Sequence, residues 1–494
     1  MLVELLAVLS TVHFEGTVTA DGGDYHEVAF EVPPGTVEIQ IAHSDGSDAV
    51  ILDWGVWSPD GFRGWGGGLT DDAIVGVEES SRGYLTGPIR PGTWHVVIGK
   101  AKLGPSGGQY TLDIVCRDDA TLTPAPRAPF EPVVLSTERR WYKGDFHVHS
   151  EQSGDASATL DEIIALARSR GLDFVNLSDH NTSSHLPLAA AKQRSVDDVL
   201  LLRGAEITTY AGHGNSVGTS AYVDHRIGHQ GRTIGGVLDD VAAQDAVFIV
   251  NHPALDLGTS CIGCAWDHPD TDWSKVTGIE VLTGKWELTE RLFTPGALAL
   301  WDAQLDAGHR IAAVGGSDDH RAGAGTGATD TPIGSPTTLV LADGLSEAAI
   351  LDGLRSGRTI VMLRGPDDPM VEVTIGDATI GDTVDGEVPA AEVRVHVTGG
   401  AGTFAQLWRD GEKIDDVQVD SDDFTHTFVD DAAGSHRYRI ELVDNGNQRI
   451  VITSHLYATV VPDGSGCCDA GSRGTAGGLV PAVLVALALR RRRR

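Results

Sequence analysis

Between residues 13 and 117 apolar and polar side chains alternate with a period of two. Residues 28–32, 37–41, 95–98 and 110–115 each read as a half-buried strand. Pro33-Pro34-Gly35, the glycines around Gly64 and Pro91-Gly92 punctuate them as turns. No helical period interrupts the run, so residues 13–117 are predicted to form a β-sandwich. Trp54, Trp57 and Trp65 fall in it, to be read as core and turn residues or as a carbohydrate-binding face.

Residues 118–140 carry Pro124, Pro126, Pro129 and Pro132 and read as an extended linker. From 141 to 365 the rhythm changes. Short apolar strands (145–149, 172–177, 199–202, 246–250, 278–282, 311–314, 338–341) alternate with segments of helical period (160–170, 188–194, 234–243, 296–306, 346–356). Asp161 and Glu162 in the first turn and Gly171 just past the end mark the first helix. Repeated βα units predict a parallel sheet, open or closed into a barrel. Residues 366–461 return to alternation at 371–375, 393–397, 404–408 and 438–442. Hairpin turns are expected at Asp410-Gly411 and Asn445-Gly446, and a second, immunoglobulin-like β-sandwich is predicted.

The two ends differ from this body. Residues 1–12 are apolar but contain Glu4 and no basic start, and read as a truncated signal segment or as a first β-strand. Residues 462–494 run from Cys467-Cys468 through a glycine-rich spacer and the apolar stretch 479–489 to five arginines, 490–494. Eleven apolar residues fall short of a membrane-spanning helix. This order resembles a myxobacterial-type C-terminal sorting signal. The resemblance implies export, processing by sorting machinery at the cysteines, and a cell-surface or outer-membrane location with membrane contact only through the tail.

Composition bounds the partners. The chain has 494 residues with 37 Lys+Arg against 70 Asp+Glu, a net charge of −33. That field disfavours long nucleic acid but leaves room for a locally cationic site that binds a small anion. Five cysteines, one of the pairs a CxxC at Cys261 and Cys264, are too few for a disulfide scaffold; the CxxC reads as a local disulfide or loop thiols before a zinc or redox site.

The chemistry-bearing residues of 141–365 sit where predicted strands end. His147 and His149 flank Val148, and residues i and i+2 of a strand share a face. Asp155 follows. Asp179-His180-Asn181 closes the second strand, Glu206 ends the third, and His213 lies in Gly212-His-Gly-Asn215. Asn251-His252-Pro253 and Ser317-Asp318-Asp319-His320 end two later strands. If the strands are parallel, their carboxyl ends converge on one face. Six histidines and three carboxylates there form a ligand inventory suited to Zn, Mn or Fe. Asp179 and Asp319, next to ligands, are candidates to orient an imidazole or to handle a proton. Asn181, Asn215, Lys285 and Arg321 are candidates to contact substrate.

This order of motifs resembles the polymerase and histidinol phosphatase (PHP) superfamily, and with the flanking sandwiches its carbaryl hydrolase-like branch. The resemblance implies a distorted (β/α)7 barrel with two to three divalent metal ions. His147, His149, Glu206 and Asp318 would hold the first, Glu206, His213 and His252 the second, and Asp155, His180 and His320 the third. Glu206 would bridge the first two around a hydroxide, making it the central catalytic residue. The function expected is a metal-dependent phosphoesterase acting on a small phosphorylated or nucleotide substrate. A carbamate or ester hydrolase, a 5′-3′ exonuclease on short nucleic acid, and a non-catalytic glycan-binding surface protein with the barrel as scaffold are the alternatives.

Overall fold

The computed structural model describes residues 8–47, 49–327 and 330–462. Two four-stranded antiparallel sheets form the N-terminal unit. One contains Val8–Val18, Gly108–Arg117, Glu38–Ser44 and Ala73–Gly76; the other Tyr25–Val32, Gly92–Lys102, Ile51–Ser58 and Gly61–Gly67. Alternation puts Val28, Phe30 and Val32 of one strand and Leu112 and Ile114 of another into the space between the sheets, around Trp94. The strand Val8–Val18 pairs along its length with Gly108–Arg117, so it begins inside the segment 1–12; residues 1–7 lie outside the described residues. Trp54 is 3% exposed in this core, and Trp57 and Trp65 pack together on Tyr210 of the central unit. The three tryptophans therefore make no exposed carbohydrate face.

The central unit begins with Arg140–Val148, which lies parallel to Phe174–Leu177, itself parallel to Leu200–Leu202. The chain continues into Gly204–Thr209, which turns back as the antiparallel strand Gly212–Val217. Val247–Val250, Val276–Thr283 and Ala312–Gly316 follow, the last two parallel to their predecessors. Parallel bridges His180↔Glu206 and Val148↔Asp319 join the two ends of this series to the first two strands. The parallel βα alternation expected from sequence is thus broken by the hairpin at 204–217, where no helix intervenes, and again by Thr337–Ala342, which follows Ala312–Gly316 without a helix and runs antiparallel to Arg140–Val148.

The first helix forms where its end signals predict. In Leu160–Ser169 the Thr159 side chain accepts from Glu162 N–H and Glu162 reaches back to Thr159. Leu186–Gln193, Ile234–Ala242, Thr294–Asp306 and Glu347–Arg355 lie within the expected stretches to within two residues at their ends, and Trp286–Leu292 is an additional short helix. They pack Ile163 and Ile164, Val237 and Leu238, and Trp301 against the strands.

The C-terminal unit is two facing sheets with Val393, Val395, Leu407, Phe428 and Tyr438 buried between them. It shares a sheet with the central unit, because Thr359–Met362 pairs with both Thr337–Ala342 and Arg449–Thr453. No break in hydrogen bonding falls at 365. The chain is multidomain and mostly β. Among the described residues no helix is long and apolar enough to cross a membrane. The tail 463–494 lies outside them.

Candidate metal centre

Strand geometry builds the site. His147 and His149 point to one side of Arg140–Val148, while Val148 between them enters the apolar cluster on the other. Glu206 comes from Gly204–Thr209, His213 from its hairpin partner, His252 from the turn after Val247–Val250, and Asp318 and His320 from the loop after Ala312–Gly316. His252, Asp318 and Asn181 hold positive φ values of 27°, 58° and 51°. Non-glycine residues pay strain there, and such residues gather at functional sites.

Glu206 is the hub and is 1% exposed. Its Oε2 lies 3.3 Å from His147 Nε2, 3.5 Å from His149 Nε2 and 2.9 Å from His180 Nδ1. Its Oε1 faces a different set, His213 Nδ1 at 3.5 Å and His252 Nε2 at 3.4 Å. Asp318 Oδ1 closes the first set, 3.3 Å from His147 Nε2 and 3.1 Å from His149 Nε2. Donors about 2.1 Å from one ion at tetrahedral angles lie ~3.4 Å apart, the spacing seen here. His147 Nε2 and Glu206 Oε2 are buried without a hydrogen-bond partner, a costly state that a cation between them relieves. The donor set fits divalent metal on both sides of Glu206.

A third group is more open. Asp155 Oδ2 lies 3.3 Å from Nε2 of both His180 and His320, and His320 stacks on His149 with centroids 4.1 Å apart. The expected ligands of all three sites are therefore brought together, with His180 facing both Asp155 and Glu206.

Electrostatics follow from crowding. Burial pushes the Glu206 and Asp318 carboxyls up, but the histidines around them outweigh it and hold both well below the usual range. Burial also lowers His147, yet Glu206 and Glu280 raise it overall. His149, buried beside His320 and His180, is pushed down to about 3.

A set of partners not singled out from sequence fixes these ligands. Glu280 Oε1 accepts from His147 Nδ1 at 2.9 Å, and its Oε2 accepts from His252 N–H at 2.8 Å. Gly316 is required beneath this pair, since a Cβ there would lie 2.3 Å from His147 Cβ. Asn251 Nδ2 donates to Glu206 Oε1 at 2.9 Å. Asp145 accepts from the backbone N–H of His147, Ser317 and Gly334, tying three segments together; burial pushes it up to about 6. The loop closed by the Cys261–Cys264 disulfide contributes two carbonyls. Ile262 O accepts from His213 Nε2 at 3.2 Å and Cys264 O from His252 Nδ1 at 3.1 Å. Each bond leaves the other ring nitrogen aimed at Glu206 as an acceptor.

Other expectations are corrected. Asp179 points away from the cluster: it accepts from Ser150 N–H and Oγ–H, both at 2.6 Å, and meets His185 Nδ1 at 3.1 Å. Asp319 accepts from the backbone N–H of Arg321, Gly323 and Ile333 and staples its loop. Neither faces the cluster: Asp319 orders loop backbone, and Asp179 orders backbone and faces the imidazole of His185. Asn215 is fully buried and donates to Phe146 O at 2.9 Å, away from any substrate space. Lys285 is exposed at the start of Trp286–Leu292, and Arg321 is exposed beside Asp330; neither lines the cavity at the cluster. Asn181 does line it, while its amide bonds Thr208 on both sides at 2.8 and 2.9 Å.

No protein-family model and no curated protein matches the chain. Among solved structures it is similar to a two-domain protein containing a predicted PHP-like metal-dependent phosphoesterase from Bacteroides vulgatus. The identity is 18% over 69% of this chain and 99% of that one, with a TM-score of 0.38. It is also similar to a candidate metal-dependent phosphoesterase from Bifidobacterium adolescentis, at 16% identity over 45% and 96% of the two chains and a TM-score of 0.27. The functional reading rests on the side chains themselves.

Proposed function

We propose that the chain is a metal-dependent hydrolase of PHP type, its central strands a distorted (β/α)7 barrel, and that it cleaves a phosphoester of a small molecule. The observation that carries this is Glu206, whose two oxygens face two separate histidine sets. Zn, Mn or Fe fits the nitrogen-rich donors. A divalent pair held there would supply Lewis acidity and an activated water nucleophile at neutral pH. The chain's own part is positional. Asn251 and the loop carbonyls of Ile262 and Cys264 fix the donors, burial excludes bulk water, and Asp155, His180 and His320 present a further set towards the cavity. Carbamate or carboxylic-ester cleavage is the second reading. It is favoured by a cavity that, among the described residues, no Lys or Arg lines. The same feature weighs against a nucleic-acid strand. Export is proposed with the function, supported by the disulfide at Cys261–Cys264, which suits an oxidising compartment.

Metal analysis of the purified chain tests this, followed by assays with p-nitrophenyl phosphate, its diester, a nucleotide panel and 1-naphthyl methylcarbamate. At least two ions per chain and phosphomonoester turnover are expected. Less than one ion with no turnover overturns the hydrolase reading, and turnover of the carbamate alone replaces the phosphoester.

A further inference from the structure

The cavity at the cluster holds about 710 Å³, and the metal-ligand set forms only one side of it. The opposite wall is the N-terminal sandwich, through Tyr25, Asp53, Trp65 and Leu69. Tyr210 joins the two. It lies four residues beyond Glu206, about 13 Å along an extended strand. Its O–H donates to Asp53 Oδ2 at 2.6 Å, and its ring stacks on Tyr25 with centroids 5.8 Å apart. Gly99 makes this approach feasible, since a Cβ there would lie 2.2 Å from the Tyr210 oxygen. The sandwich is held firmly in place: Phe62 stacks on Tyr222 at 3.5 Å and Thr182 Oγ donates to Gly83 O at 2.8 Å.

Away from the ligand set the chamber is acidic. Among the described residues no Lys or Arg lines it, and of its five acids Asp155, Glu206 and Asp318 belong to the ligand set, which leaves Asp53 and Asp330. Asp53 has Tyr210 as its hydrogen-bond donor and no ion pair among the described residues. Arg226, whose charge reaches Tyr25 and His225, is taken by Asp224 at 2.9 and 3.0 Å and lies over Trp57. His225, 1% exposed, lines the chamber with Nε2 buried and unpartnered. Tyr222 O–H lies 3.0 Å from its Nδ1 and 3.2 Å from Asp224 Oδ1. With that phenol donating to Asp224, Nδ1 carries the proton and Nε2 is left as an acceptor. Aromatic faces, a carboxylate without a cation and an unused acceptor together suit a positive guest.

We propose that this chamber binds an organic ammonium group, so that the substrate is an ester whose far end carries a protonated or quaternary amine seated on Tyr25, Trp65 and Tyr210 against Asp53. The choice of substrate rests on the hydrolase reading above; the chamber's preference for a cation does not. Calorimetric titration of the metal-loaded full chain with choline and with its uncharged isostere 3,3-dimethylbutan-1-ol tests the preference. Choline is expected to bind about tenfold more tightly than the isostere. Asp53→Asn and, independently, Trp65→Ala should each remove most of that difference. Equal or weaker binding of choline by the wild-type chain, or no choline binding, overturns the inference without recourse to any variant. Choline binding in a chain that hydrolyses no ester would leave the chamber standing and the hydrolase reading fallen. Ester turnover without choline binding would do the reverse.

Discussion

The two sides of the histidine cluster are built differently. Around Glu206, the side chains of His147, His149, His213 and His252 are at most 5% exposed, and three of these four imidazoles are fixed through the second ring nitrogen by Glu280, Ile262 O or Cys264 O. At the mouth, the side chain of Asp155 is 58% exposed and those of His180 and His320 are 21% and 23% exposed. His180 bonds Thr208 Oγ at 2.6 Å, and His320 bonds its neighbour's carbonyl, Asp318 O, at 2.8 Å. Donors whose orientation is set before a cation arrives bind it with less reorganisation. The inner side should therefore hold ions tightly and carry the reaction, and the outer side should exchange its ion and meet the substrate.

The largest expected effect breaks the inner side outright. Glu206→Ala removes the carboxylate whose two oxygens face the two histidine sets, and should lower turnover at least about a thousand-fold with the far-UV circular dichroism unchanged. Full activity in that variant would remove the ligand map. Glu280→Gln touches no proposed ligand position but loosens His147, and should weaken metal affinity about 10- to 100-fold, read by competition with a chelator. Asp155→Asn addresses the outer side. It should cost one bound ion per chain and roughly tenfold in rate while the inner ions stay. If Asp155→Asn proved as damaging as Glu206→Ala, the distinction between the two sides would collapse.

How much of this was legible depends on where each residue's neighbours point. The ligands could be read because they end strands, and because His147 and His149 share a face by spacing alone. The same rule explains one of the errors. Asp179 precedes His180 at the end of a strand, so its carboxylate points opposite to that ligand, and Asp319 sits in a turning loop whose backbone N–H groups draw its carboxylate away from Asp318 and His320. Adjacency in sequence meant separation in space. Glu280 and Asp145 went unread as partners although a signal existed, since each is the one acid within a predicted apolar strand segment. The hairpin 204–217 was hidden because both arms carry polar site residues and lack the apolar run of their neighbours. The seating of the N-terminal sandwich on the cavity could not be foreseen, because Trp57 and Trp65 read as core and turn residues of their own unit or as a carbohydrate-binding face.

The smallest effect lies on the loop that joins the two themes of burial and orientation. The Cys261–Cys264 bridge holds the segment whose Ile262 and Cys264 carbonyls fix His213 and His252. It replaces no ligand, so removing it should leave the ions around His147 and His149 untouched. What it should change is how often His213 and His252 present the correct nitrogen to the second ion. Substituting both cysteines by serine, or reducing the bridge, is expected to weaken that ion alone, by about three- to tenfold. Stepwise metal titration resolves this from a general loss of stability, because the affinity of the first ion serves as an internal control. Equal weakening of both steps would mean that the loop supports the fold of the whole site. No change in either would mean that the carbonyls hold their places without the bridge.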